Sequence, residues 1–136
     1  MSKKTIYEVC NELKEIVEKA YEEGVSIQDA ERLAAKTLAI RLDLSHELKI
    51  TDLDARMKKH GVKVTRADAY MTEIKKHEKK PVESFLDAAI NMNGNVIEAE
   101  HDYAKADVEK EMISNYLDIF KDAHIYFRGI SKGIYE

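Results

Sequence analysis

Arg56, Lys58, Lys59, His60, Lys63 and Arg66 fall within eleven residues. Nowhere else in the sequence do residue type and spacing point so directly to a chemistry. Phosphate backbones bind such clusters through counterion release, each neutralised phosphate adding affinity without reading base sequence. Gly61 in their midst would let a strand approach the backbone, and Tyr70 follows one turn beyond. A tyrosine there could stack on an unpaired base, worth roughly 1–3 kcal/mol. Lys75, Lys76, Lys79 and Lys80 extend the charge. The competing reading is a solvated cationic face with Tyr70 turned into the core, and charge alone favours it slightly.

Other chemistries find less support. The five histidines, His46, His60, His77, His101 and His124, are scattered, and none has a second His or Cys at ligand spacing. The adjacent pairs His46-Glu47 and His101-Asp102 would point to different faces of a helix, so no metal and no cofactor is expected. Carboxylates are plentiful but spread over helix exteriors, and no nucleophile motif such as Gly-x-Ser-x-Gly or Ser-x-x-Lys occurs. The expectation is a protein that is not an enzyme.

Composition sets the frame for the cluster. At 136 residues the chain has room for one domain and a modest core. Charged residues make up 35% and aromatics 7%, with one Pro and no Trp, which suits long solvent-laced helices better than a sheet. The net charge of −4 hides a pattern along the chain. Residues 1–48 carry 7 Lys/Arg against 10 Asp/Glu, residues 49–80 carry 10 against 5, and residues 81–136 carry 5 against 11. A basic middle thus lies between two acidic arms. Cys10 stands alone among Tyr7, Val9 and Leu13, which predicts a buried thiol and no internal disulfide. No apolar run is long enough to cross a bilayer, and the expected setting is a reducing, cytoplasmic one.

The elements that must position the cluster are helical. A first helix is predicted between Thr5 and Gly24, the glycine ending it in a left-handed cap, with Ile6, Val9, Leu13, Ile16, Val17 and Ala20 inward. Ser26, with Asp29 three residues on, predicts an N-cap. In the helix that follows, Ala30, Leu33, Ala34, Leu38, Leu42 and Leu48 are predicted inward. Thr51 and Asp52 could cap a fresh helix, or the pattern could run on through Leu53 and Met57 to Gly61; either way Gly61 is predicted to break it, with a further periodic stretch over 62–75. Pro81 is predicted in the first turn of a helix carrying Phe85, Leu86, Ala89 and Ile90. Gly94 is predicted to cap its end and Asn95 to start the next.

That last helix, predicted over 95–127, is the longest uninterrupted stretch. Val96, Ala99, Tyr103, Ala106, Ile113, Leu117, Phe120, His124 and Phe127 fall on alternating three- and four-residue spacing, broken only by Lys110. A period near 3.5 is that of a coiled-coil seam. Met112, Tyr116, Ile119, Ala123 and Tyr126 form a second stripe beside it. Two apolar faces on one helix call for partners on both sides, one from the rest of the chain and one from another subunit, and Tyr103, Ile113, Leu117, Phe120, His124 and Phe127 are predicted to build the homo-oligomer interface. Oligomerisation would repeat the basic cluster around an axis and strengthen a weak site through effective concentration.

Leu53-Asp-Ala-Arg56-Met-Lys-Lys-His-Gly61, then a polar gap and a helix ending Leu117-Asp-Ile-Phe120 with Arg128-Gly129, resembles the UvsY-type recombination mediators of large tailed phages. The likeness covers about half the chain, and Arg56 takes the place of the family's DNA-contacting arginine. The family has a lysine two residues earlier, where this chain has Asp54. The resemblance implies a ring-forming helical protein in the host cytoplasm. It would bind single-stranded DNA and help load a recombinase on strands coated with single-strand-binding protein. The alternative is a helical protein-interaction module of phage origin, either a structural adaptor or an inhibitor of a host defence enzyme. Both share one expected fold: all-α, an elongated oligomeric bundle or hairpin of a single domain built on the long C-terminal helix. Its segments would be a helical pair over 1–48, a basic segment over 49–80 and C-terminal helices over 81–129.

Overall fold

The computed structural model describes residues 5–133 and is all-α. Helix α1 spans Ile6–Glu23, α2 Ile27–Lys75, α3 Glu83–Asn91 and α4 Gly94–Ser131, and no strand occurs among the described residues. The chain divides into two compact units, one of Met1–Leu48 with Met112–Glu136, the other of Lys49–Glu111. Helices α2 and α4 each contribute one length to either unit.

Local chemistry accounts for the helix starts. The N–H of Glu8 donates to Thr5 Oγ1 at 3.2 Å and that of Asp29 to Ser26 Oγ at 3.1 Å, each side chain satisfying a donor the helix leaves free. Gly24 ends α1 at φ 76°, where a Cβ would be strained, and its N–H donates to Ala20 O at 2.9 Å. Its ψ of 167° takes the chain out extended rather than into the expected left-handed cap.

Three sequence expectations are corrected here. Gly61 does not break anything: α2 runs through it for 49 residues. A glycine inside a helix costs only about 1 kcal/mol against alanine, and no proline or cap residue near Gly61 offers the backbone an alternative. Thr65 Oγ1 donates to the Gly61 carbonyl at 2.8 Å. Pro81 lies outside α3, whose N-cap is Val82 in extended conformation, its carbonyl accepting from Phe85 and Leu86. Gly94 is the first residue of α4, and the cap is Asn93. Asn93 Oδ1 accepts from the N–H groups of Asn95 at 2.9 Å and Val96 at 3.2 Å, the donors an N-cap can reach.

The larger core lies in the unit that holds α1. Cys10, Leu13, Val17 and Ala20 of α1 meet Ala30, Leu33, Ala34, Ile40 and Leu44 of α2 and Ile113, Phe120, Ala123 and Phe127 of α4. Burying each Phe or Leu of that set contributes about 1.5–3 kcal/mol. Val9, Ile16, Leu38 and Leu42, predicted inward, are exposed. The inner track of α2 is Leu33, Thr37, Ile40 and Leu44, with Leu38 one position and Leu42 two positions off it. Thr37 is tolerated there because its hydroxyl donates to the carbonyls of Leu33 (2.8 Å) and Ala34 (3.1 Å). Tyr21 stacks on Phe127 at 5.7 Å and meets Tyr126 edge-on at 5.0 Å.

In the other unit the core is thinner. Ala69, Ile90 and Val96 cluster with Tyr70 packed against them, and Thr51, Ala55, Leu86 and Ala106 are also buried.

Candidate functional site

The basic cluster sits on α2 in the Lys49–Glu111 unit. At 3.6 residues per turn, Arg56, Lys59, His60, Lys63, Arg66 and Tyr70 share one side of the helix. Lys58 does not: it lies two residues from Arg56 and pairs with Asp54 at 3.3 Å.

Several of these cations are already partnered. Arg56 Nη2 lies 3.0 Å from Asp52 Oδ2, and Lys110 Nζ lies 3.1 Å from the other oxygen of the same carboxylate. Arg66 donates through Nη1 to Glu100 at 2.8 Å and through Nη2 to Asn91 at 3.1 Å. Tyr70 is half-buried against Ala69, Ile90 and Val96, with Lys80 Nζ 5.8 Å from its ring centre. The interaction with Tyr70, and then with Glu83, holds the Lys80 ammonium above its ordinary pKa. The predicted stacking platform is therefore occupied by the protein's own side chains. Folding also dilutes the charge, because residues 49–111 together carry 12 Lys/Arg against 13 Asp/Glu. A shallow cavity of about 200 Å³ between α2 and α4 is lined by Arg56, Lys59 and Lys110 but also by Asp52, Asp107 and Tyr103. Mixed signs suit salt bridges better than a phosphate.

Lys76, His77 and Lys80 of the basic run after α2 are likewise paired within the chain. Glu73 accepts from Lys76 at 3.3 Å and contacts His77 at 3.4 Å, and the His77 hydrogen bond holds its carboxyl below the ordinary range. Lys80 reaches Glu83 at 3.1 Å.

The residues predicted to join copies lie elsewhere. Ile113, Phe120 and Phe127 are 0% exposed inside a single chain, and Leu117 packs against the same core. His124 is half-buried, with Nδ1 2.9 Å from the carbonyl of Ala34. Tyr103 is half-buried beside the mixed cavity. From Ile113 to Phe127 the stripe is covered by α1 and α2, which corrects the expectation of an intermolecular seam there. Lys110, the interruption in the stripe, is where Asp52 supplies a countercharge.

A surface that the sequence reading passed over stands on α2 instead. Ile50, Leu53, Met57, His60, Val64, Ala67 and Met71 recur at alternating steps of three and four. All seven are exposed, and Ile50, Leu53, Met57, Val64 and Met71 range from 46% to 65%. The opposite side of the same stretch is made of smaller residues, Thr51, Ala55 and Ala69. The longer apolar side chains thus face water while the short ones pack. The signal was present in the sequence as a second series, concealed when Gly61 is read as a break.

Among the described residues, no group of three or more His, Cys, Asp or Glu could hold a metal ion, and no helix is long and apolar enough to cross a membrane. No family model matches the chain, and no curated protein or solved structure matches it.

Proposed function

We propose that this chain is a non-catalytic helical interaction module that docks another helix along the outer face of α2. One observation carries the reading: five large apolar side chains at coiled-coil spacing stand in solvent on a folded protein. Isolated exposed apolar residues need no explanation, but a periodic row along one face does. The test is a comparative capture experiment from the cells that make the protein, using wild type and Met57→Asp/Val64→Asp. Loss of the bound species with the double variant is expected. An unchanged set of bound proteins would reject this face as the working surface.

A second reading, single-stranded DNA binding as a UvsY-type recombination mediator acting on recombinase and coated strands, draws support from the placement of Arg56, Lys59, Lys63 and Arg66 on one side of α2. Its test is fluorescence anisotropy with a labelled single-stranded oligonucleotide. Binding that weakens with salt and with Lys59→Ala/Lys63→Ala supports it; no binding at low salt removes it.

A further inference from the structure

We infer that the helix that docks on α2 is α2 of a second copy of this chain, running parallel and in register. The inference rests on the interaction-module reading and names its partner. In heptad terms Ile50, Met57, Val64 and Met71 occupy a positions and Leu53, His60 and Ala67 occupy d positions, through three heptads without a stutter. The flanking positions then select the orientation. Lys49, Arg56 and Lys63 stand at successive g positions, while Asp54, Gly61 and Asp68 stand at e.

In a parallel pair each g residue faces the e residue five positions on in the other helix. Lys49 of one copy then meets Asp54 of the second, and Lys63 meets Asp68, each pairing occurring twice by symmetry. Arg56 meets Gly61, where no charge opposes it. An antiparallel pair would set g against g and e against e. That places the Lys49, Arg56 and Lys63 row against itself and Asp54 against Asp68. The surface is therefore complementary to its own copy in one direction only.

The ion pairs of the single chain fit this arrangement. Lys49, Lys63 and Asp68 have no salt bridge among the described residues, whereas Arg56, which gains no charged partner, is already paired with Asp52. Asp54 contacts Lys58, but both are close to half exposed and the carboxylate can accept a second cation. His60 at a central d position makes a polar layer, which penalises slipped registers and keeps the affinity moderate.

Light scattering across a concentration series should show mass rising from the 15.6 kDa chain to twice that value. Ala67→Cys, oxidised, should give a disulfide-linked dimer; the wild type, with Cys10 buried, is the control and should give none. Lys63→Glu should weaken the dimer about tenfold, and adding Asp68→Lys should restore it. That rescue requires contact between copies, since residues five apart on one helix do not face each other. Met57→Asp should yield a monomer with unchanged helix content. A protein monomeric at every concentration overturns the inference. So does linkage of Ala67→Cys to Ile50→Cys in a mixture where Ala67→Cys alone does not link, which is the antiparallel outcome. A monomer that still captures a different protein in a Met57-dependent way would overturn the second copy while leaving the interaction module standing.

Discussion

Lys110 Nζ lies 3.1 Å from Asp52 Oδ1, joining the one charged interruption of the α4 apolar stripe to a carboxylate of α2. Arg56 holds the other oxygen of the same carboxylate at 3.0 Å. Two cations thus share one anion, with side chains 39% (Lys110) and 27% (Asp52) exposed, so solvent screens the pair and its worth is modest. A double-mutant cycle with Asp52→Asn and Lys110→Met should give a coupling of about 0.5–1 kcal/mol in urea unfolding. Molar salt should shrink it. A coupling of zero at low salt would show that the contact contributes nothing.

Gly61 sits inside α2, and a Cβ built on it meets nothing within 4 Å. Gly61→Ala should therefore raise stability by about 0.5–1 kcal/mol, chiefly by restricting the unfolded chain. The denaturation midpoint should move up with the slope unchanged. A lower midpoint would mean that the helix does not persist through this position.

Phe120 and Leu53 lie on opposite sides of the division between interior and surface. Phe120→Ala removes a fully buried ring and should cost about 3–5 kcal/mol. Leu53→Ala, at a side chain 59% exposed, should cost less than about 0.5 kcal/mol to a dilute single chain. Equal losses in thermal or chemical unfolding would contradict the assignment of the α4 stripe to the core and the α2 seam to solvent.

Burial, and next the nearby Asp43 carboxylate, push the Cys10 thiol from 9.0 up to about 11. The unfolded chain ionises first, so the associated stability is fully present below pH 9.0 and is lost as pH climbs toward 11. Wild type should lose melting temperature relative to Cys10→Ala across that window. Thiol-specific reagents should label the native protein slowly at pH 8 and rapidly once it is unfolded. Equal labelling rates in the two states would contradict a buried thiol.

Helix formation and its local punctuation were legible in the residues themselves. The caps at Thr5 and Ser26 depend on groups three residues apart, and periodicity revealed the α4 stripe because a helix repeats its faces. Boundaries set by competition among neighbours were less so: Asn93 rather than Asn95 caps α4, and Gly61 passes unnoticed inside α2. Clustered cations could be read as a sequence feature, but not their availability. Arg66 is neutralised by Glu100, 34 residues away, and Arg56 shares Asp52 with a lysine from another helix. Periodicity states that a face is apolar, and burial is blind to whether the covering atoms belong to the same chain or another. Tertiary packing alone decided that α4 spends the stripe from Ile113 to Phe127 on α1 and α2, while the row from Ile50 to Met71 faces water.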